Sequence, residues 1–362
     1  MGVPTRTDLE RPAGPDLSVI IVTWNVRELT LQCLRSLEEQ SNGIALEVFV
    51  VDNASSDGTV AAIRQEFPEV RIIENQGNVG FPRANNQALQ HARGRYVLFL
   101  NPDTEVGEGT LQRCVRELDQ DETLGMVGCR LVYPDGSIQY EGARRDYRLR
   151  HLACELFYLH KLFPRHPVFA HQLMGDWDHK GTREVEAICG AFMMVRRPLA
   201  YELGGLPEEV HMYHEDLAFC LRVRRAGKKI RYLGDVVTVH HHGKSSGQRD
   251  SRIWLLDGEY RIRLIREGEG PVHAAIGRVL FAIRSLLRLP VAVAASLIPG
   301  TRAVRHRYPR LFDPRLHVLS FLWSVSPRLV RRHMPQPPAG PPIELRLEAD
   351  VEAEAVGAAS GG

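Results

Sequence analysis

Leu17-Ser-Val-Ile-Ile-Val-Thr23 is continuously apolar and β-branched, as expected of a strand buried on both faces of a sheet. A helical stretch follows, with Leu29, Cys33, Leu34 and Leu37 on one face. The alternation then repeats. A strand over Leu46–Val51 precedes a helix after Ser56-Asp57-Gly58, and a short strand over Val70–Ile73 precedes a helix from Pro82 to Ala92 and a strand over Tyr96–Leu100. Apolar strands separated by amphipathic helices predict an α/β fold, a Rossmann-like and mostly parallel sheet with helices on both faces. Ligands bind such sheets beyond the carboxyl ends of the strands, so the polar residues ending each strand are the candidates for chemistry.

Composition sets the outer limits. The 362 residues are 44% hydrophobic and 25% charged, which excludes wholesale disorder, and 46 basic against 44 acidic side chains leave a net charge of +2, which argues against a nucleic-acid partner. Six cysteines (Cys33, Cys114, Cys129, Cys154, Cys189 and Cys220) form no CxxC pair and sit among apolar neighbours, as reduced cytoplasmic thiols do. Residues 1–16 and 335–362 read as disordered tails. The first lacks the apolar core of a signal peptide. The most apolar run, Leu289 to Thr301, is shorter than the ~18 residues of a membrane span and contains Pro290 and Pro299, so a chain that does not cross a bilayer is expected.

The first two strands end in Thr23-Trp24-Asn25 and in Asp52-Asn53-Ala54-Ser55-Ser56-Asp57-Gly58. Asp52 is either ordinary turn chemistry or a carboxylate that accepts hydrogen bonds from a nucleobase or ribose. After the third strand, Gly77 and Gly80 in Asn75-Gln-Gly-Asn78-Val-Gly80-Phe81-Pro-Arg83 suit a tight turn with close approach to a ligand, against which Phe81 or Arg83 can pack. The fourth strand ends in Asn101-Pro102-Asp103. A carboxylate there suits a hard divalent cation that takes its remaining ligands from water and substrate phosphates, with Asn101 in support; a plain turn is the other reading. Gly190-Ala191-Phe192-Met-Met-Val-Arg-Arg197 reads as a strand whose small residues permit close approach. Glu215 and Asp216 open a helix, where they complement its dipole or supply a general base. His240-His-His242 ends a strand, with His240 and His242 on one face and His241 on the other, as a polar loop or as metal ligands.

The segments SVIIVTWN, VVDNASSDGT, NVGFPRANN, YVLFLNPDTEV, GAFMMVRR, MYHEDLAFCLRVRRAG and VTVHHHGKSS, in this order over residues 17–250, resemble glycosyltransferase family 2, the inverting enzymes of GT-A fold, and within it the bacterial rhamnosyltransferase-like branch. The resemblance implies a catalytic domain over 17–250, with a nucleotide-binding half to about residue 135 and an acceptor half beyond it. It implies transfer of a sugar, rhamnose in this branch, from a dTDP-, UDP- or GDP-linked donor. The acceptor would be a hydroxyl of a glycan or of a polyprenyl-diphosphate-linked glycan in cell-surface polysaccharide synthesis. Thr23, Asn25, Asp52, Asn53, Asn78, Gly80, Arg83, Asn101 and Asp103 would face the donor, and Asp103 and His240 would hold Mg2+ or Mn2+. Asp216 would be the base and Glu215 would position the acceptor, with Gly190, Ala191 and Trp177 on the acceptor side. Many relatives carry a further acid where this chain has Ala218. A catalytically silent nucleotide-sugar-binding or scaffolding protein of the same fold is the alternative.

Residues 251–334 read as a basic helical region; Arg252 to Arg332 contains fifteen arginines, no lysine and five acids, an excess of +10. In Val279-Leu-Phe-Ala-Ile-Arg284-Ser-Leu-Leu-Arg288, arginines four apart beside an apolar face suggest either an interfacial helix on an anionic membrane or an appendage packed on the catalytic domain. The first places the protein in the cytoplasm, peripheral on the inner face of the cell membrane.

Overall fold

The computed structural model describes residues 14–209, 214–241, 253–298 and 313–330. The first half alternates β1 (Leu17–Thr23), α1 (Arg27–Gln40), β2 (Leu46–Asp52), α2 (Thr59–Glu66), β3 (Arg71–Glu74), α3 (Phe81–Leu89) and β4 (Tyr96–Leu100). Then come β5 (Thr104–Val106), α4 (Thr110–Gln120), β6 (Leu124–Val132), β7 (Ala143–Arg144), α5 (Leu149–Leu156) and α6 (Leu159–Leu162). They are followed by β8 (Arg183–Val185), β9 (Ala187–Ile188), β10 (Phe192–Arg196), α7 (Arg197–Glu202), α8 (Glu215–Arg225) and β11 (Lys229–His240). Three helices, α9 (Ile253–Glu269), α10 (Pro271–Leu297) and α11 (Pro314–Val325), complete the described chain.

Nine strands form one sheet in the order β3-β2-β1-β4-β10-β6-β11-β5, with β8 added to β11. β1 to β4 run parallel, as buried apolar strands joined by helices must, whereas β10 enters antiparallel between β4 and β6. That reversal matters for function. It pairs Phe192 with Leu100 and so lays the residues before β10 against the carboxyl end of β4. β11 pairs with β5 so that His240 lies opposite Thr104.

Side chains alternate across the sheet. Leu17, Val19 and Ile21 pack beneath α1, α2 and α4, while Ile20 and Val22 join a core with α3, α5 and α8. Tyr260, Ile265, Ala274, Phe281 and Trp323 belong to that second core, so the C-terminal helices are packed on the body built around the sheet.

Two expectations need correction. Asp16 is no part of a tail: it is buried, takes Arg95 into an ion pair at 2.9 Å and accepts the Ala45 N–H at 3.1 Å. Residues 1–13 and 335–362 of the expected tails lie outside the described residues. Second, Pro290 does not end the apolar helix. α10 runs through it for 27 residues and is long and apolar enough to cross a membrane. The hydrogen bond that Pro290 cannot donate would have gone to the carbonyl of Leu286, on the exposed side of the helix and away from the protein core. All six cysteines are free thiols, five of them buried.

Candidate active site

The ends of β1 and β2 are tied together by polar groups. Asn25 has a left-handed backbone (φ 53°); its N–H donates to Ser55 Oγ at 2.9 Å and its Oδ1 accepts the Ser56 N–H at 2.7 Å. Thr23 turns inward to Thr30 Oγ1 at 2.8 Å, so its hydroxyl serves the fold. Asn53 donates its N–H to the Thr23 carbonyl at 2.9 Å, accepts from Asn75 at 3.0 Å and reaches Asn78 Oδ1 at 3.4 Å. Asn78 Oδ1 also accepts the N–H of Gly80, whose φ of 87° favours glycine at the entry to α3. Arg83 faces Glu208, at 3.9 Å. Within this frame Asp52 Oδ2 accepts the Ser55 N–H at 2.9 Å, whereas its Oδ1 is buried without a hydrogen-bond partner. Leaving such an atom unsatisfied costs about 1–3 kcal/mol, which a donor group on a ligand would recover.

At the end of β4 a second carboxylate is in the same condition. Asp103 is 2% exposed and its Oδ1 has no hydrogen-bond partner. His240 Nε2 stands 3.4 Å from that oxygen and 3.4 Å from Asn101 Nδ2. The other ring nitrogen, Nδ1, meets Gln139 Oε1 at 2.8 Å. Gln139 Nε2 donates to the carbonyls of His240 at 2.6 Å and Val132 at 3.3 Å, which fixes its amide oxygen toward the ring. Nδ1 is therefore an N–H, and Nε2 is the ring nitrogen turned toward Asp103. A carboxylate and an imidazole nitrogen that converge in this way fit a divalent cation. No cluster of three or more His, Cys, Asp or Glu occurs among the described residues, so such a cation would draw its other ligands from water and phosphate. His241 points to Glu105, at 2.6 Å. His242 lies outside the described residues.

The third carboxylate is the opposite case. Asp216 Oδ2 accepts from the buried Arg144 guanidinium and from the Gly190 N–H at 3.0 Å, and Oδ1 takes the Leu217 N–H at 2.7 Å. Burial disfavours its charge, but Arg144 and the Gly190 N–H outweigh burial and hold Asp216 below the usual carboxylate range. Glu215, one residue earlier, is pushed up to about 8 by burial and by the Asp216 charge, and its Oε2 is buried without a partner. Near neutral pH one carboxyl is ionised and its neighbour protonated. Gly190 lies against this carboxylate: a Cβ there would meet Asp216 Cβ at 3.4 Å, an ordinary van der Waals contact.

The antiparallel β10 joins the two centres, since Ala191 O accepts the Asn101 N–H at 3.1 Å while Gly190 holds Asp216. Trp177 is engaged in packing, stacked on His179 (centroids 4.5 Å apart) with Arg183 over its ring at 5.2 Å. The stretch around it encloses a cavity of about 290 Å³ lined by Tyr140, His151, His160, Phe169 and Leu173. Sequence reasoning missed Gln139 and Arg144. Each is an isolated polar residue in a stretch with no motif, and only its distant partner gives it meaning.

The family model of Glycosyl transferase family 2 matches residues 18–204, just over half of the chain. The chain belongs to glycosyl transferase family 2. This member is 26% identical over 243 residues to the N-acetylglucosaminyl-diphospho-decaprenol L-rhamnosyltransferase of Mycobacterium tuberculosis, a match covering 64% of this chain and 78% of that protein. It is 26% identical over 263 residues to the O-antigen biosynthesis protein RfbC of Myxococcus xanthus, covering 70% of this chain but only 20% of that longer protein. Its structure resembles the mannosyltransferase PcManGT from Pyrobaculum calidifontis, solved with GDP-Man and Mn2+ (TM-score 0.51, 22% identity, 87% of this chain and 91% of that one). It also resembles GalNAc-T7 solved with UDP, GalNAc and Mn2+ (TM-score 0.52, 15% identity, 70% and 48%). The fold of this glycosyltransferase is thus GT-A, with a C-terminal helical extension.

Proposed function

We propose that the protein transfers a sugar, with inversion, from a nucleotide-diphosphate donor to a hydroxyl of a glycan or polyprenyl-diphosphate-linked acceptor in cell-surface polysaccharide synthesis. The observation that carries this is the pair of unsatisfied buried carboxylate oxygens, Asp52 Oδ1 and Asp103 Oδ1, at the carboxyl ends of β2 and β4, the two parallel strands that flank β1, with the ionised Asp216 across the junction made by β10. Rhamnose as the sugar rests on the likeness to the mycobacterial rhamnosyltransferase, whose name also supports a lipid-linked acceptor. Such an acceptor would place this chain at the inner face of the membrane, on its cytoplasmic side.

In this reading Asp52 accepts a hydrogen bond from the base or ribose, and the Asn53–Asn78–Gly80 turn shapes the wall beside it. Asp103 and His240 would hold Mg2+ or Mn2+, and the bound cation would supply charge neutralisation for the departing diphosphate. Asp216 takes the proton of the acceptor hydroxyl as its oxygen bonds to the anomeric carbon and the bond from that carbon to the diphosphate breaks. The protonated Glu215 donates a hydrogen bond that positions the acceptor.

A thermal-shift series with dTDP, UDP and GDP, each with and without Mn2+ or Mg2+, tests the donor site. A nucleotide at 100 times its Kd stabilises the fold by ~2.7 kcal/mol, and one nucleotide is expected to act only with metal present. The same shift with and without metal would remove Asp103 and His240 from the site. A metal-dependent shift without sugar transfer or donor hydrolysis would favour the scaffolding alternative.

A further inference from the structure

α10 reverses the usual pattern of a surface helix. Val272, Ile276, Val279, Ile283, Leu286 and Leu297 fall on one face by their spacing and are 41–77% exposed. The arginines of the same helix turn toward the protein instead. Arg278 lies over Trp323 at 5.7 Å, Arg284 over Phe281 at 5.0 Å and Arg288 over Tyr158 at 4.9 Å. Burial pulls Arg284 down to about 10. The outward stripe therefore carries no charge along a helix about 40 Å long. Beside Tyr158 the apolar surface continues through Phe157, Leu162 and Phe163, which are 49–67% exposed. Soluble monomers rarely leave so long an apolar stripe bare.

We propose that this face rests on a lipid bilayer, with α10 lying in the membrane plane and its stripe among the acyl chains. The helix does not cross the bilayer, because its other face (Ala274, Gly277, Phe281, Ser285 and Ala292) is buried on the body of the protein. Gly277 allows contact so close that a Cβ there would stand 2.6 Å from Ile262 of α9. A second copy is the other apolar occupant, and charge decides against it. In a dimer each protomer would bring the same net basic segment, an excess of +10 in sequence that repels its copy, whereas that excess is attracted to an anionic leaflet. Insertion of the stripe, rather than a rim of arginines, then holds the protein in place. This surface is independent of the donor sugar and of the acceptor.

The test is co-sedimentation of the full-length protein with phosphatidylcholine vesicles, with and without phosphatidylglycerol, at low and high salt. Size-exclusion light scattering and the nucleotide thermal shift are measured in parallel. The wild type is expected to bind both kinds of vesicle, more strongly the anionic ones, and to remain bound at high salt. Ile276→Asp, Val279→Asp and Leu286→Asp combined should weaken partitioning by about 100-fold or more, with the nucleotide thermal shift unchanged because all three side chains are exposed. A wild type that stays in the supernatant, or complete release by salt, would overturn the proposal. So would a triple variant that binds like the wild type, or one that only converts a dimer to a monomer. Failure of the donor-site reading would appear separately, as a lost nucleotide shift in the wild type.

Discussion

Asp103 and Asp216 are buried carboxylates joined through the start of β10, and they differ in what surrounds them. Asp103 leaves an oxygen without a hydrogen-bond partner and faces a histidine ring nitrogen at 3.4 Å. Asp216 has a guanidinium and two backbone N–H groups directed at it. An incomplete carboxylate has a place for a cation that arrives with the substrate; a saturated one is held ionised in advance. Burial alone does not separate the proposed metal ligand from the proposed base. Hydrogen-bond accounting does.

The contrast breaks most clearly under substitution. Asp103→Asn should reduce turnover by about 10⁴-fold, since the lost Lewis-acid stabilisation is worth several kcal/mol. It should nonetheless leave the metal-free protein as stable as before, because no native hydrogen bond to Oδ1 is lost. Asp216→Asn should reduce kcat by ~10²–10⁴-fold. Unlike the first, it leaves Arg144 buried without its counter-charge and should lose about 3–5 kcal/mol of stability in urea unfolding. The metal-dependent nucleotide shift should disappear in the first variant and persist in the second. If both variants unfold at the same urea concentration, the two carboxylates do not differ as described.

Much of this was legible in the sequence, and the reason is local. β1 and β4 begin and end where the apolar runs do, because strands buried on both faces leave no polar position to blur the boundary. Asp52, Asp103, Glu215, Asp216 and His240 could be picked out because each ends a strand or opens a helix. Gln139 and Arg144 could not, since their partners lie 101 and 72 residues away. β6 was hidden by Gly125 and Gly128, which interrupt its apolar run and are small because Leu199 and Ile188 press on them. α10 teaches a different limit. Periodicity separates the arginines from the stripe but does not say which of the two meets solvent. The guanidinium planes stack on Trp323, Phe281 and Tyr158 and their stems pack inward, leaving the aliphatic side chains outside.

Gln139 sharpens the comparison at smaller amplitude, because it completes the Asp103 centre without reaching the cation. Gln139→Leu removes the acceptor at Nδ1, freeing the ring to rotate or to take the other tautomer, and should weaken Mn2+ binding about 10–100-fold. Gln139→Glu keeps an acceptor at Nδ1 but loses the amide donor to the His240 and Val132 carbonyls, so it should recover only part of the affinity. Mn2+ titration followed by electron paramagnetic resonance, in the presence of nucleotide, reads both. Equal affinity in the leucine variant and the wild type would make Gln139 a packing residue.

Glu215 gives the smallest effect and the most specific one. Its carboxyl is raised from an ordinary 4.5 to about 8 by burial and by the Asp216 charge. In the unfolded chain it loses its proton near 4.5, while the folded protein keeps it, so between these values the unfolded state binds fewer protons and stability falls as pH rises. One such group removes up to about 1.4 kcal/mol per pH unit. The stabilisation is complete below the unfolded value and is lost on passing through the folded one. Asp216 has the opposite sign, but its window lies below the ordinary carboxylate range and does not overlap this one. Glu215→Gln keeps a neutral side chain of the same shape, so it should match the wild type at about pH 5 and gain on it steadily toward about pH 8 in urea midpoints. Parallel curves across that range would mean that Glu215 is ionised in the folded protein. The pair would then hold two negative charges, and Asp216 would no longer stand apart from its neighbour.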